Sequence, residues 1–359
     1  ISYPDVPAAE EHSAQYLPHH CDLKPFAGAL ARGEVSRLFL GGFAQRMENF
    51  LPLDFYRRVF QAVPQGAEVF GPDILLCSIR GGDILDGHHR DYVLIPPEFY
   101  LELVEQTGLA PVFMGQLGEN TYCTRLRRLF PDARFVESRG PMIDFATIRQ
   151  ATNIVTSIST FSWLAAWLSH AQKIYMPLSG LFHPMQSREV DLVPRDDPRF
   201  VLYLFPINFS TPVHRFEACL NPLIGLWRRI TPAMLTALQE DRPRFKPSRE
   251  DCFAAFDEQY YCATHADVRE AVDRGGFASG RDHYFHNGFQ EGRPAFHFDE
   301  RWYSAAYPMA AFEVGQGDFE NLAQHYIAIG RARGYRPYPE QPLDDAGPAP
   351  AAPGYRSGS

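Results

Sequence analysis

The chain has 359 residues, of which 45% are hydrophobic and 21% charged, a composition typical of globular proteins with two or three domains at this length. Its formal net charge of -9 argues against nucleic acid or an anionic membrane surface as a partner, because both attract clustered basic charge. No apolar run approaches the roughly 20 residues of a membrane-spanning helix, so no transmembrane segment is predicted. The six cysteines are scattered without a Cys-x-x-Cys pair, which predicts no zinc site and a reducing, cytoplasmic location, either free or at the membrane periphery.

The elements predicted up to residue 220 belong to two domains. Residues 1–70 form an N-terminal segment in which Ser36–Phe43 predicts a short strand and Leu51–Val63 a helix. Residues 71–220 alternate short apolar strands, such as ILLCSI, APVFMG, ARFVE, NIVTS and KIYMP, with helices of about ten residues. This alternation is typical of βαβ units, so the sequence predicts a doubly wound α/β domain with a parallel, Rossmann-like sheet.

The last third of the chain contains an internal repeat. Residues 221–250 predict a helical connector and linker, 251–338 two helical repeats of about 42 residues, and 339–359 a low-complexity, disordered tail. The matching pairs are Phe256/Phe298, Asp257/Asp299, Tyr261/Tyr303, His283/His325, Tyr284/Tyr326, Gly288/Gly330 and Gly292/Gly334. The aromatic residues form either the core between stacked repeats or a face that binds a protein partner or a glycan acceptor.

The stretch CSIRGGDIL predicts an arginine at the carboxyl edge of the sheet, where open α/β folds bind ligands. Arg80 ends the strand, and Gly81 and Gly82 let the backbone approach whatever Arg80 binds. Asp83 is spaced to orient the guanidinium, whose planar fork suits phosphate oxygens. The alternative interpretation is a structural Arg–Asp pair at a βα turn.

The stretch SISTFSWLAAWLS sets four hydroxyl residues before an apolar helix. Ser159 or Thr160 is the predicted N-cap, and the start of a helix is an anion site because of its free N–H groups and its dipole. Trp163 and Trp167, four residues apart, are predicted to lie on the core face of that helix. The hydroxyl cluster is therefore either a helix cap alone or a cap that also holds phosphate.

Together these motifs resemble the α-1,2-fucosyltransferase family, whose members have the GT-B fold. The family's H-x-R-x-G-D motif corresponds to Ser78–Asp83, and its N-S-S-F-S-W-W-G-A-W-L motif corresponds closely to Ser157–Leu168. Upstream, Gly42–Phe50 is similar to the family's G-Y-F-Q-S-E-K-Y-F. The order and spacing hold from about Leu38 to Phe182, which is under half of the chain.

The resemblance implies an inverting glycosyltransferase that transfers fucose from GDP-fucose to a glycan or other hydroxyl acceptor without a metal or other cofactor. It places the catalytic Arg80 on the pyrophosphate, where it stabilises charge on the departing GDP. The donor-binding residues that it implies are Arg80, Gly81, Gly82, Asp83, Gln116, Asp144, Ser159, Thr160, Phe161 and Ser162. The residues on the acceptor side are Gln45, Glu48 and His88.

The chain departs from the family pattern at several positions. Ser78 replaces the first histidine of the arginine motif, and Gly115-Gln116 replaces an acidic pair. The family's G-G-L-G-N-Q start is missing, so the N-terminal half-domain is shortened or the sequence begins inside it. These departures leave an alternative open, in which the protein is a non-catalytic scaffold that binds a sugar nucleotide or a glycan.

The general base is not assigned by any motif. Glu48, Asp86, His88 and His183 are candidates by their chemistry alone, and the favoured interpretation of each is a surface or loop residue. Asp144 is either a guanine contact or an acidic residue favoured by the helix dipole.

Overall fold

The computed structural model describes residues 14–17, 20–87, 89–210, 219–240 and 247–339. The chain divides into two compact units. The first contains Ile1–Arg244 and Ala311–Asp318, and the second contains Phe245–Ala310 and Phe319–Ser359. The predicted tail lies outside the described residues except for Pro339.

The first unit is built of alternating strands and helices. Its strands are β1 Ala14–Leu17, β2 Arg37–Leu40, β3 Ile74–Arg80, β4 Ala110–Gln116, β5 Arg134–Glu137, β6 Asn153–Val155, β7 Lys173–Leu178, β8 Phe200–Leu204 and β9 Arg228–Ile230. Its helices are α1 Lys24–Ala31, α2 Leu53–Val59, α3 Pro97–Thr107, α4 Thr121–Leu129, α5 Pro141–Arg149, α6 Thr160–Leu168 and α7 Pro232–Gln239. Each helix from α3 to α6 follows one strand of a sheet and precedes another, as in βαβ units.

The main sheet has seven strands in the order β5-β4-β3-β6-β7-β8-β9, and β1 and β2 form a separate parallel pair. All neighbours in the main sheet are parallel except β8 and β9. The predicted α/β class with a mostly parallel sheet is therefore confirmed. Successive strands run outward from β3 to β5 on one side and from β6 to β8 on the other, so the order reverses between β3 and β6.

Both faces of the sheet are covered, because alternate side chains of β3 belong to different cores. Leu75, Cys77 and Ile79 join a cluster that includes the two tryptophans of α6. Leu76 joins a second cluster with Ile154 of β6. This two-sided burial explains why the strands are continuous apolar runs without polar alternation.

The predicted helical connector over residues 221–250 is wrong in one part. Arg228–Ile230 forms β9, which pairs with β8 antiparallel, with Leu202 opposite Ile230. The sheet therefore extends past the predicted boundary at residue 220. Among the described residues of this stretch, a short 3-10 turn at Asn221–Leu223 precedes β9, and α7 and the start of the next helix at Arg249 are helical as predicted. Three residues with one buried apolar side chain are too few to give a strand periodicity in the sequence.

Helix α6 is fixed at its sides and at its end. Trp163 and Trp167 are 2% and 4% exposed, as predicted for the core face, and their rings stack with centroids 5.7 Å apart. Arg57 Nε donates to the Leu168 carbonyl at 3.2 Å, and Arg199 Nη2 donates to the Trp167 carbonyl at 2.9 Å. These arginines satisfy carbonyls that the last helical turn leaves without partners.

The second unit is helical where it is described. Its helices are α8 Arg249–Ala254, α9 Glu258–Thr264, α10 Ala266–Asp273, α11 Gly280–His283, α12 Glu300–Ala306, α13 Pro308–Gly315 and α14 Leu322–His325. Helix α13 is shared, because Ala311–Asp318 belongs to the first unit. π-Helical turns follow α11 and α14, at Tyr284–Gly288 and Tyr326–Gly330.

The same buried hydrogen bond occurs once in each repeated segment. The Tyr261 hydroxyl lies 3.1 Å from His283 Nδ1, and the Tyr303 hydroxyl lies 2.9 Å from His325 Nδ1. A Cβ atom built on Gly330 would lie 2.3 Å from the Tyr303 hydroxyl. Gly330 is therefore required because the tyrosine approaches it closely. Gly334 is required for a different reason, since its φ is positive, at 76°.

Within the described residues, no helix is both long enough and apolar enough to cross a membrane.

Candidate functional site

The reversal of strand order between β3 and β6 defines the candidate site. The two strands pair in parallel, with Cys77 opposite Val155. The chain leaves β3 toward one side of the sheet and leaves β6 toward the other, which opens a crevice at the carboxyl ends of these strands. Arg80 is the last residue of β3, and Ser157 lies two residues beyond β6. The two sequence motifs therefore meet at the switch point of the sheet.

The Arg80 side chain stacks on an aromatic ring that the sequence motifs did not identify. Its guanidinium carbon lies 4.5 Å from the centroid of the Tyr92 ring. Such stacking holds the plane of the guanidinium parallel to a fixed aromatic surface. The bidentate contact between Arg80 and Asp83 stays a prediction, because the Asp83 side chain lies outside the described part of the chain.

The turn after Arg80 is held by the end of β4. Gly81 N–H donates to the Gln116 carbonyl at 2.7 Å, and a Cβ atom on Gly81 would lie 2.7 Å from that same oxygen. A Cβ atom on Gly82 would lie 2.8 Å from Gln116 Oε1. Gly81 is therefore required by the close approach of the Gln116 backbone, whereas a Cβ atom on Gly82 would meet only the Gln116 side chain, which is exposed at the edge and can move aside.

Asn120 is a second residue that the sequence motifs missed. Its Nδ2 donates to the Gly81 carbonyl at 3.1 Å and to the Leu117 carbonyl at 2.8 Å. Its Oδ1 accepts a hydrogen bond from Cys123 N–H at 2.9 Å, so Asn120 is also the N-cap of α4. An asparagine before a helical pattern indicates a cap in the sequence, but only the fold brings it to the arginine turn.

The hydroxyl cluster is mainly an internal network. Ser157 Oγ lies 3.5 Å from Ser78 Oγ and 2.9 Å from Ser162 Oγ. Ser162 is 1% exposed and also contacts the carbonyls of Ser157 and Ser159, so its hydroxyl holds the turn together. Ser159 is the N-cap of α6 and accepts a hydrogen bond from Phe161 N–H at 3.3 Å.

The surface that a ligand could reach is formed by other parts of the same edge. Thr160 is half-buried, while Phe161, Gln116 and Gly82 are exposed. The space between Arg80, Ser157 and neighbouring side chains measures only about 10 Å³, room for about one water molecule. Any larger ligand at this edge therefore has to lie outside the strand ends.

Two buried hydroxyls at this edge have no partner among the described residues. They are Thr156 Oγ1, directly after β6, and Ser179 Oγ, directly after β7. Buried hydroxyls are usually hydrogen-bonded, so the edge has hydrogen-bonding capacity that the described side chains do not use.

The remaining predicted residues have structural partners or lie outside the described part. Asp144 is buried and accepts hydrogen bonds from Ser138 Oγ at 2.5 Å and Arg139 N–H at 3.0 Å. The Gln45 carbonyl pairs with Asp191 N–H at 3.0 Å, and Glu48 Oε1 lies 2.5 Å from Arg46 Nε. The Asp86 side chain and all of His88 lie outside the described residues.

His183 is unsuitable as a base because it is part of the core. It is fully buried, its Nε2 lies 2.9 Å from the Phe205 carbonyl, and its Nδ1 accepts a hydrogen bond from Met185 N–H at 3.1 Å. Nδ1 as acceptor leaves the proton on Nε2, which donates to Phe205. Burial lowers the pKa of His183 to about 4, so the imidazole is neutral at pH 7.

We expect His183 to make the protein less stable in mild acid. Its pKa is about 4 when folded and 6.5 when exposed, so the unfolded chain binds more protons between these values. The stabilisation is complete above pH 6.5 and declines as the pH falls toward 4, with a loss of about 2 kcal/mol at pH 5. Urea unfolding at pH 7.5 and pH 5 should show this extra loss in the wild type relative to His183→Asn. Equal pH dependence in the two proteins would contradict the assignment.

Among the described residues, no group of three or more His, Cys, Asp or Glu side chains is arranged to hold a metal ion. Compared with protein-family models, curated proteins and solved structures, the chain has no match in any of the three. The function is therefore argued from the geometry of the sheet edge.

Proposed function

We propose that the edge between β3 and β6 binds the diphosphate of a nucleotide sugar and that the protein is an inverting, metal-independent glycosyltransferase. The observation that carries the proposal is the meeting of Arg80, stacked on Tyr92, with the capped start of α6 at the switch point of the sheet. A guanidinium and a helix N-terminus are complementary to the charge of a diphosphate.

In the proposed reaction, an acceptor hydroxyl oxygen attacks the anomeric carbon of the sugar. A new C–O bond forms while the bond from that carbon to the diphosphate oxygen breaks, and the electron pair leaves with the nucleoside diphosphate. Arg80 and the first turn of α6 stabilise the negative charge that grows on the leaving group. The attack comes from the face opposite the diphosphate, so the configuration at the anomeric carbon inverts.

The proton of the acceptor hydroxyl passes to a base. Of the four candidates from the sequence, the structure argues against one. His183 is buried and has its acceptor nitrogen occupied. Glu48 is paired with Arg46, which restricts the orientation of its carboxylate. Asp86 and His88 remain the candidates nearest in sequence to Arg80.

The donor and the architecture rest on the resemblance to α-1,2-fucosyltransferases. That resemblance favours GDP-fucose as the donor and a GT-B arrangement with a shortened N-terminal half-domain. The parallel pair β1–β2 supports a remnant of such a half-domain, because parallel pairing requires a crossover connection. The helical repeats are then an accessory region for a glycan acceptor or a protein partner.

A non-catalytic scaffold is the second candidate, and two observations favour it. Ser78, which replaces the family's histidine, has its hydroxyl within 3.5 Å of Ser157 Oγ. Gly115-Gln116, which replaces an acidic pair, uses the Gln116 carbonyl for the arginine turn. At both positions, the residue that replaces the family's ionisable group contributes to the structure around the arginine turn.

A panel of nucleotide sugars, incubated with and without EDTA, separates the two candidates. We expect hydrolysis or transfer from a single nucleotide sugar, GDP-fucose, at a rate that EDTA leaves unchanged. Binding of GDP-fucose without turnover would support the scaffold. Turnover that EDTA abolishes would contradict the metal-independent mechanism, and failure of every nucleotide to bind would remove the site itself.

A further inference from the structure

A larger cavity lies in the first unit, separate from the small space beside Arg80. Its volume is about 220 Å³, and three parts of the chain line it. They are Arg46, the loop Pro184–Asp191 and the C-terminal end of α7 at Leu238 and Gln239. The size is below the 300 Å³ or so of the smaller drug-sized pockets, which limits the ligand to a single small ring.

The cavity combines an apolar floor with a polar rim. Pro184, Met185 and Leu238 are buried and present carbon atoms. Arg188 is exposed at the rim, together with Asp191 nearby. A pyranose ring has the matching surfaces, because its C–H groups form an apolar face and its hydroxyls form a polar edge.

The charges of the lining are balanced within pairs. Arg46 Nε lies 2.5 Å from Glu48 Oε1, and Arg195 makes a bidentate pair with Asp191, at 3.1 and 2.9 Å. Arg195 also donates to Gln239 Oε1. Arginines that are paired with carboxylates attract an anionic ligand less strongly than isolated arginines do. The pairs also fix the positions of hydrogen-bond donors and acceptors, which can bind neutral hydroxyl groups.

The backbone that presents Arg46 is strained. Ala44 has a φ of 45° and is the one non-glycine residue with positive φ in the described part of the chain. Arg46 N–H donates back to the Ala44 carbonyl at 2.8 Å, and Met47 N–H donates to the Asp191 carbonyl at 2.6 Å. Strained residues of this kind occur preferentially at binding sites, where the surrounding contacts maintain them.

One loop borders both this cavity and the Arg80 region. Leu181 N–H donates to the Asp91 carbonyl at 2.7 Å, and Gln186 Nε2 donates to Asp91 Oδ1 at 2.9 Å. Asp91 is adjacent in sequence to Tyr92, on which Arg80 stacks. Met185 and Arg188, on either side of Gln186, line the cavity. A ligand in the cavity therefore contacts the loop that fixes the surroundings of the arginine.

We propose that this cavity binds a neutral pyranose, the acceptor sugar of the transfer reaction. The role of this sugar as an acceptor rests on the proposed function. The binding of a sugar as such is inferred from the cavity alone. Met185 and Leu238 contact the apolar face of the ring. Arg46, Arg188 and Asp191 bind its hydroxyls.

The test uses saturation-transfer NMR with the methyl glycosides of galactose, glucose and mannose as probes. We expect the wild-type chain to transfer saturation to at least one of them. Arg188→Ala and Asp191→Asn should reduce that signal at least fivefold. Arg128→Ala, which removes an exposed arginine from α4, is the matched control and should leave the signal unchanged.

A separate titration of the wild type with GDP distinguishes this inference from the proposed function. GDP binding without any glycoside signal overturns the sugar cavity and leaves the donor site standing. A glycoside signal that both variants lose, without GDP binding, supports the cavity and overturns the nucleotide site. A glycoside signal that persists in both variants places the sugar elsewhere and overturns the inference.

Discussion

Replacing Arg80 with alanine is expected to abolish binding and turnover of the nucleotide sugar while leaving the fold intact. The guanidinium supplies the fixed positive charge at the switch point, and loss of one charge-stabilising donor typically lowers turnover by about 10²–10³-fold. The side chain is half-buried and stacked on Tyr92, so the loss of stability should stay near 1 kcal/mol or below. Initial rates with GDP-fucose and circular dichroism measure the two effects.

Two further variants identify the cause of that loss. Arg80→Lys keeps the charge but not the planar fork, so it should recover only part of the activity if bidentate contact with phosphate matters. Arg128→Ala controls for the removal of a positive charge from the same unit and should behave as the wild type. Wild-type activity in Arg80→Ala would contradict the proposed mechanism.

Replacing Gly330 with alanine is expected to cost roughly 3 kcal/mol of stability in the second unit. The added Cβ atom would lie 2.3 Å from the Tyr303 hydroxyl, a separation that forces the tyrosine or the π-helical turn to move. Burial raises the pKa of Tyr303, so its hydroxyl stays protonated, and it lies 2.9 Å from His325 Nδ1 in a buried hydrogen bond. Any movement of the ring therefore disturbs a buried hydrogen bond as well as packing.

The partner variant Tyr303→Phe makes this prediction specific. Alone it should cost about 1–3 kcal/mol, because it removes the buried hydrogen bond between Tyr303 and His325. Combined with Gly330→Ala it removes the clashing oxygen, so the double variant should be at least about 1 kcal/mol more stable than the sum of the single effects predicts. Fluorescence of Trp302, the one tryptophan in the second unit, reports its unfolding.

Gly334→Ala is the control for this cycle. Gly334 has a φ of 76°, and a Cβ atom added to it would meet no neighbouring atom within 4 Å, so alanine there costs only backbone strain. Tyr303→Phe should not rescue it. Strict additivity between Gly330→Ala and Tyr303→Phe would show that the close contact does not limit stability.

The sequence predicted the elements of the sheet better than the contacts that complete the site. Continuous apolar runs such as ILLCSI identified the buried strands. The hydroxyls before an apolar helix predicted Ser159 or Thr160 as its cap, and Ser159 is the cap. Arg80 and Ser157 could be placed at one edge because carboxyl ends of parallel strands share an edge. Their adjacency at the switch point required the strand order, which alternation alone does not determine.

Tyr92 and Asn120 were missed for a physical reason. Tyr92 meets Arg80 through a loop with no helical or strand periodicity, and Asn120 reaches Gly81 across 39 residues. Contacts of this kind depend on how neighbouring strands end relative to each other. The cavity beside Arg46 was missed for the same reason, since its three lining segments are joined only in the folded chain.

The two arginines at the far end of α6 affect the electrostatics of the site at its near end. A helix dipole places about half a positive charge at the N-terminus and half a negative charge at the C-terminus. Arg57 and Arg199 donate to carbonyls at the negative end, about 14 Å from the first turn for a helix of nine residues. The guanidinium groups offset the negative pole in part, because each is also paired with a carboxylate, Arg57 with Asp54 at 3.7 Å and Arg199 with Asp197 at 2.6 Å. An anion bound at Ser159 then experiences the field of the positive pole with a reduced opposing field from the other end of the helix.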